Sequence, residues 1–366
     1  MRWPWHRNGS SDQLISSWSG QTLAYVLARS RAGGMHEVLK FGVERQGVDS
    51  MADFVHRLQD LGLKGLESQV MLMPEQYQLL QIDAPAVPPE ELRSAARYQI
   101  KEMLDSHIDD VTLDVMRVGD GQHKGAGHLF VVAATNAVVR GVLDLGDAMH
   151  WTVPVIDIQE TSQRNLQNAL AALENHADRA NAAIVLLEGH QVVLTISANE
   201  ELFYTRRFEL PAGFLEASWG GDGDALEGPV DSAEAFTPVG EYVPDYSVGG
   251  VSYGNDYSAA RVVSPASRVS GSFVDNEKAQ RFVVEVQRSL DVWSRSWSSM
   301  PLDVVRVYAG ERSDELATWL GVQLGQPVLP LHVDALFTGF EDGAVGDRAL
   351  CLPLLGVLMR TENRKL

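Results

Sequence analysis

The sequence predicts an α/β protein assembled from two similar halves. Three features carry that prediction. A β-hairpin reads from LISSWSGQTLAYVLARS near the start, with Ser19-Gly20 at its turn, and a second set of closely spaced strands reads from 182 to 210. Each set leads into amphipathic helices and a further apolar strand, an alternation that belongs to mixed α/β architecture. Between 211 and 272 the composition turns polar, so the second half is expected to carry an insertion. No repeat at the level of residues accompanies the two halves, and duplication is expected from the layout alone.

The elements follow in order. Met51, Phe54, Val55 and Leu58 recur at i, i+3, i+4 and i+7, which puts them on one face of a helix. The segment PPEELRSAARYQIKEML has Pro89 near its start and Glu90 and Glu91 in its first turn, where a fixed φ and negative charge favour helix initiation. Its inward face is expected to be Leu92, Ala95, Ala96, Ile100, Met103 and Leu104. HLFVVAAT at 128–135 and AAIVLLEG at 182–189 are continuous apolar runs, as in strands buried on both faces. Leu166, Ala169, Leu170 and Leu173 form another helical stripe. VVLTIS at 192–197 and LFYTRRFEL at 202–210 complete a three-stranded meander with 182–189. Phe282, Val283, Val286, Leu290 and Trp293 mark a long helix, with Asp275 or Asn276 as its N-cap. VVRVYAG at 304–310 reads as a strand. The helix over 313–324 should stop at Gly325, with Pro327 just beyond.

Residues 211–272 hold the acids Glu216, Asp222, Asp224, Glu227, Asp231, Glu234, Glu241, Asp245 and Asp256 against the bases Arg261 and Arg268. Such a segment buries too little apolar surface to offset its ordering entropy, so disorder or loose packing is expected. Its aromatics, Trp219, Tyr242 and Tyr253 among them, give it a second reading as a docking tail.

Bulk properties exclude several function classes. With 366 residues and 45% hydrophobic content the chain can build more than one core. Its formal net charge of -19 gains nothing from counterion release on a phosphate backbone, so nucleic acid is not expected as a partner. One cysteine, Cys351, forbids both an internal disulfide and a cysteine-built zinc site. The start, MRWPWHRNGSSDQ, lacks the apolar core of a signal peptide. LCLPLLGVLM at 350–359 falls short of the ~18 apolar residues that a membrane span needs. A cytoplasmic protein without a membrane span is expected.

The order of segments resembles the PilM family of actin-like pilus-assembly proteins, and its MshI branch from mannose-sensitive haemagglutinin (MSHA) pilus systems in particular. The residues that carry the resemblance run through the chain outside 211–272. They are Val87-Pro88-Pro89-Glu90-Glu91-Leu92, the acidic strand Asp109-Asp110-Val111-Thr112-Leu113-Asp114, VVAATNAVV at 131–139 and the crossing segment VPVIDIQETSQRNL at 153–166. Glu285 with Arg288-Ser289-Leu290-Asp291, VRVYAG, and LLGVLMR at 354–360 complete the series. The resemblance implies an actin-like, ribonuclease H-like duplicated fold with two lobes. Its expected divisions are a flexible tail over 1–13, lobe I over 14–180 with a small inserted subdomain about 85–127, and lobe II over 181–366 with the insertion about 211–272. It also implies a partner, the cytoplasmic N-terminal tail of a PilN-like single-pass inner-membrane protein, and contact with the assembly-ATPase side of the machine. Leu92, Arg93 and Tyr98 on the small subdomain are the implied partner-binding residues, and the protein would be peripheral to the inner membrane through its partners.

An actin-like ATP site needs Gly-bearing hairpin turns for the phosphates, a carboxylate for Mg²⁺ and a Gly-Gly turn for the adenosine. Against the family's first hairpin, Asp-Ile-Gly-Ser-Ser-Ser-Val-Lys, this chain has Ser17 in place of Asp, Ser19 in place of Gly and Ala24 in place of Lys. Gly20, Gln21 and Thr22 still offer polar contacts. The second hairpin retains Glu188 and Gly189. The adenosine turn, Tyr308-Ala309-Gly310-Glu311, keeps only Gly310, and a Cβ at Ala309 would crowd the base if that position needed φ > 0. Each lost charge-assisted contact costs roughly 1.5–3 kcal/mol. Two losses move a micromolar site toward millimolar, so at most weak ATP–Mg binding and no useful hydrolysis are expected.

No His-x-x-x-His spacing, Gly-x-Ser-x-Gly elbow or Walker A motif occurs, and no metal site is expected. Asp109, Asp110 and Asp114 read as a solvated strand edge. The aromatic and basic residues Met1 to Arg7 read as a flexible terminus, with membrane-surface or partner docking as the other reading. Two functions compete with the scaffold: a nucleotide-binding actin-like ATPase, and the cytoplasmic part of a type II secretion assembly protein, which normally continues into a membrane span.

Overall fold

The structure, a computed structural model, describes residues 12–31, 35–118, 127–187, 191–219 and 270–361. The first hairpin forms as expected, with β1 (Asp12–Trp18) antiparallel to β2 (Thr22–Ser30), which pairs in turn with β3 (His36–Arg45). Helix α1 (Met51–Asp60) starts where the Ser50 hydroxyl accepts the Asp53 N–H, and it buries Phe54, Val55 and Leu58. Strand β4 (Ser68–Leu72) returns parallel to β1. The chain then builds a separate three-stranded sheet from β5 (Tyr77–Asp83), β6 (Val111–Arg117) and β7 (His128–Thr135), with α2 (Leu92–Ile100) on one face. Helix α3 (Asn136–Met149) and strand β8 (Ile156–Ile158) lead back to β4, and α4 (Gln159–Leu173) leaves the first half.

The second half repeats the plan. Strands β9 (Ala180–Leu187), β10 (Gln191–Ala198) and β11 (Glu201–Glu209) form the antiparallel meander. The long helix α5 (Ser270–Ser296) precedes β12 (Leu302–Tyr308), which lies parallel to β9. Helix α6 (Ser313–Leu324) ends on Gly325, whose φ of +63° is left-handed, and β13 (Val328–Pro330) adds parallel to β12. Strand β14 (Phe337–Thr338) and helix α7 (Val345–Leu358) follow.

Duplication is visible in the strand order. Inside its edge strand β14 one sheet runs β3-β2-β1-β4-β8 and the other runs β11-β10-β9-β12-β13, so both series read 3-2-1-4-5 in chain order. The senses match as well: two antiparallel pairings, then two parallel ones, in each sheet. Backbone pairing preserves a plan that the side chains have lost.

Four boundaries differ from the sequence reading. Asp12 and Gln13 belong to β1 rather than to a tail, because Asp12 pairs with Arg29 across the hairpin at 2.7 Å. The small sheet extends past 85–127 on both sides, since β5 and β7 must pair to bury Leu129 and Val131 over α2. The lobes also exchange helices: α4 lies on the strands β9, β10 and β11, while β14 pairs with β3 and α7 covers β1, β2 and β3. A cut at 180/181 therefore runs through both cores instead of separating them. Finally, residues 211–219 are packed, not loose. Phe214 and Trp219 are buried against Phe282 and Trp319, and the Arg312 guanidinium lies 3.7 Å over the Trp219 ring. Two aromatics five residues apart bury enough surface to hold this short stretch, which an average over sixty residues conceals. Residues 220–269 lie outside the described residues, as does the tail over 1–11. Helix α5 begins at Ser270, so Asp275 and Asn276 are inside it and not at its start.

Candidate functional site

The β1–β2 hairpin sets one wall of a cavity of about 410 Å³ in the cleft between the two sheets. Its register places Ser17 opposite Ala24 and Trp18 opposite Leu23. The turn needs a left-handed residue, and Gly20 supplies it at φ +91°. Ser19 N–H donates to the Thr22 carbonyl at 3.0 Å, and Thr22 N–H donates to Ser19 Oγ at 3.1 Å. Two amides that a phosphate loop would present are thus used within the turn. The Gln21 carbonyl accepts from Gln46 N–H at 2.8 Å, tying the turn to the end of β3.

Ser17, Ser19, Thr22 and Ala24 line this cavity together, while Gly20 and Gln21 are not among its lining residues. Its other walls include Met73, Leu187 and Leu350, with Arg45 and Glu75 as the charged groups. Arg45 was invisible to the sequence reading because it reaches the site only through register, directly opposite Thr22 on β3. Glu188 and Gly189 lie outside the described residues; Leu187 and Gln191, which flank them, pair with each other across β9 and β10. Gly310 does not join this site. It lines a second cavity, of about 280 Å³, on the α6 side of α7. The left-handed residue of that turn is Gly310 itself, at φ +61°, and Ala309 is not left-handed. Without a positive φ the Ala309 side chain causes no backbone strain, and its N–H donates to Ser313 Oγ at 2.9 Å.

Behind the first cavity runs α4, and here the sequence reading fell short. Leu166 and Leu170 face the core as its stripe requires, but Leu173 is exposed. The polar face is buried too: Gln159, Glu160, Ser162, Gln163, Arg164 and Gln167 are all inaccessible. Buried polar groups need partners, and the second sheet supplies them. Gln163 Nε2 donates to the Ala183 and Val193 carbonyls at 2.8 and 3.1 Å, and Gln167 Nε2 donates to those of Asn181 and Thr195 at 2.9 and 3.3 Å. Glu160 is fully buried, accepts the Tyr77 hydroxyl, and pairs with Arg207 of β11 at 2.7 Å. Arg207 also donates to the Pro74 carbonyl at 2.7 Å and lies 4.4 Å over the Tyr77 ring. Burial, then Glu160, holds the Tyr77 hydroxyl well above its ordinary pKa. Burial opposes the Arg207 charge, yet Tyr77 and Glu160 more than offset it, and its pKa stays raised. Just before α4 begins, the buried Asp157 of β8 pairs with Arg360 at 2.9 Å. Small sheet, crossing helix and second lobe are thereby joined at one buried polar knot.

On the small sheet the three implied partner residues separate. Leu92 is 6% exposed and packs with Ala96 and Ile100, so it cannot be a surface contact; its place on the inward stripe of α2 accounts for that. Arg93 is on the surface and pairs with Asp114 at 3.0 Å. Tyr98 is 84% exposed. Met103, expected on the inward face, is exposed because α2 ends at Ile100. Asp109 pairs with Arg97 at 3.4 Å. Among the described residues no group of three or more His, Cys, Asp or Glu could hold a metal ion, and no helix is long and apolar enough to cross a membrane.

No protein-family model and no curated protein matches the sequence. Solved structures do. A chain of the PilM-PilN type IV pilus biogenesis complex superposes with a TM-score of 0.59 at 17% identity, over 95% of this chain and 99% of that one. The fold is actin-like. A Bacteroides thetaiotaomicron protein of actin-like ATPase fold matches with a TM-score of 0.45 at 7% identity, over 96% of each chain. The cytoplasmic domain of EpsL, an inner-membrane component of the Vibrio cholerae type II secretion system, matches with a TM-score of 0.39 at 16% identity, over 57% of this chain and 75% of that one.

Proposed function

We propose that this chain is a non-catalytic cytoplasmic scaffold for assembly of a type IV pilus, of the MshI branch of MSHA systems, and that it binds the cytoplasmic tail of a PilN-like inner-membrane protein. The observation that carries the reading is the likeness, over nearly the full length of both chains, to a chain of the PilM-PilN complex. The first cavity supports the non-catalytic part. Ser17 and Ala24 stand where an ATP site wants a metal-side carboxylate and a cation, Met73 and Leu350 narrow the space with apolar groups, and Gly310 faces a different cavity. Exposed Tyr98 and Arg93 on α2 remain the surface offered for the tail, without Leu92.

The test is calorimetric titration with synthetic N-terminal tails of single-pass inner-membrane pilus proteins, run beside Mg-ATP. The scaffold reading expects saturable binding of one tail, weakened by Tyr98→Ala, and no heat from millimolar Mg-ATP. Failure of every tail to bind sinks the partner; ATP-dependent stabilisation with turnover sinks the non-catalytic role. A nucleotide-binding reading draws on Arg45, a cation at the first cavity, and predicts that Arg45→Ala abolishes any ATP response.

A further inference from the structure

The second cavity is built entirely from described residues and has no part in the scaffold reading. Leu331, Val333, Phe340 and Leu352 form its apolar floor, all buried. Three carboxylates, Glu311, Asp314 and Glu341, stand at its mouth, each more exposed than buried. The positive groups there are Arg348 and His332. Arg348 spends its charge on Glu341 at 2.7 Å and lies 3.7 Å from Glu311, while His332 rests against Asp314 at 3.4 Å. With three carboxylates facing one permanent cation, the mouth attracts positive charge.

An acidic rim alone would be a solvated surface. What sets this one apart is Tyr308, which lines the same cavity, is 8% exposed, and has no hydrogen-bond partner for its hydroxyl among the described residues. Burial pushes its pKa up to about 12; Arg348 pulls against that and Glu341 adds to it, as expected of a neutral hydroxyl next to both. A hydroxyl oxygen able to accept, over an apolar floor and beneath a negative rim, is complementary to one kind of guest.

We propose that this cavity binds an organic cation: an ammonium or guanidinium group on a short apolar stem, carried either by a small free amine or guanidine or by a Lys or Arg side chain of a peptide. The stem would cover Leu331, Val333 and Phe340, and the head group would donate to Tyr308 Oη and to the carboxylates of Glu311 and Asp314. A phosphate-bearing ligand is disfavoured by the same carboxylates.

Saturation-transfer NMR on the full chain tests this, with butylguanidinium and Nα-acetyl-arginine amide as probes. Butylurea and Nα-acetyl-citrulline amide are their uncharged counterparts. Saturable binding of a cation with a Kd on the order of 1 mM is expected, and none of its counterpart over that range. Binding of both cations supports a small-molecule guest, and binding of the capped arginine alone supports a peptide side chain. Tyr308→Phe keeps the ring and is expected to weaken binding about two- to tenfold, the worth of one hydrogen bond. Glu311→Gln should weaken it and flatten its dependence on salt. Absence of binding, equal binding of the uncharged counterparts, unchanged affinity in Tyr308→Phe, or tighter binding of adenosine than of either cation would each overturn the proposal.

Discussion

Replacing Gly356 by alanine inserts one methyl group where α4 and α7 cross. The ideal Cβ would lie 2.5 Å from Ser162 Oγ and 2.6 Å from the Ser162 carbonyl carbon, and nearer still to the carbonyl oxygen. Normal non-bonded separations are about 3.5–4.0 Å, so the helices must part by about 1 Å. Overpacking of this kind costs about 1–3 kcal/mol and occasionally more. Parting also stretches the Asn165 Nδ2 bond to the Gly356 carbonyl, now 3.0 Å, and the Ser162 hydroxyl bond to the Pro353 carbonyl. Each such bond is worth about 1 kcal/mol net, and alanine's better helix propensity returns about 1 kcal/mol. The net expectation is a loss of about 2–4 kcal/mol. Gly346 is the control: it lies in the same helix with nothing within 4 Å of an added Cβ. Gly346→Ala should hold or raise stability by up to about 1 kcal/mol. Thermal unfolding followed by far-ultraviolet circular dichroism compares the two with wild type. If Gly356→Ala melts with or above Gly346→Ala, the close crossing and the lobe exchange built on it are refuted.

Three further outcomes are expected. Arg207→Met leaves Glu160 buried and unpaired, and loss of one partner of a buried pair costs about 3–5 kcal/mol; denaturant unfolding should show most of that loss, and recovery when Glu160→Gln is added. His36 is buried against Phe337 and its pKa is lowered by burial. The unfolded chain then binds the proton more readily, so this contribution is complete above the unfolded value of about 6.5 and declines as pH falls through it. The melting temperature should drop more between pH 7 and 5.5 in wild type than in His36→Gln, and parallel profiles would refute this. Cys351 is buried, and burial pushes its pKa up to about 12. Its thiol should resist a disulfide reagent at pH 8 in the native protein and react once denatured; fast native labelling would contradict the packing of α7.

What the sequence made legible was periodicity. The hairpin at Ser19-Gly20, the meander 182–210 and the stop at Gly325 all follow from apolar spacing and turn chemistry, which are local. What it concealed depends on partners distant in the chain. Arg45 reaches the first cavity only through the β2–β3 register, and Gly310 lines the second cavity, beside Arg348 and Leu352 of α7, which returns from the end of the chain. Leu92 was legible as part of an inward stripe, and that reading competes with a surface role at the same residue. Trp219 lies in a segment whose average composition is polar, although its immediate neighbourhood with Phe214 is not.

Helix α4 is the strongest case, because its polar residues look like a solvent face and are the opposite. A helix polar on one side satisfies the usual amphipathic template equally well whether water or a sheet's carbonyls receive its side chains. The distinction lies in residue type. Gln163 and Gln167 are four apart, each donates to two strand carbonyls, and Asn165 between them donates to the Gly356 carbonyl on α7. Amides can give and accept at fixed geometry, which lysine and glutamate on a solvent face do not need to do. Glu160, in the first turn of this helix, pairs with Arg207 of β11, and Asp157 of β8, just before the helix, pairs with Arg360 from beyond α7. Opening the cleft would have to break the Tyr77 hydroxyl bond to Glu160 and the Arg207 bond to the Pro74 carbonyl, which join the first half to the second and would leave buried polar groups unpaired. For a protein that hydrolysed nucleotide by opening and closing, such fastening would oppose the working motion. For a scaffold that holds a bound tail in a fixed orientation it is an asset, and the crossing helix thus supports the proposed role on grounds independent of Ser17 and Ala24.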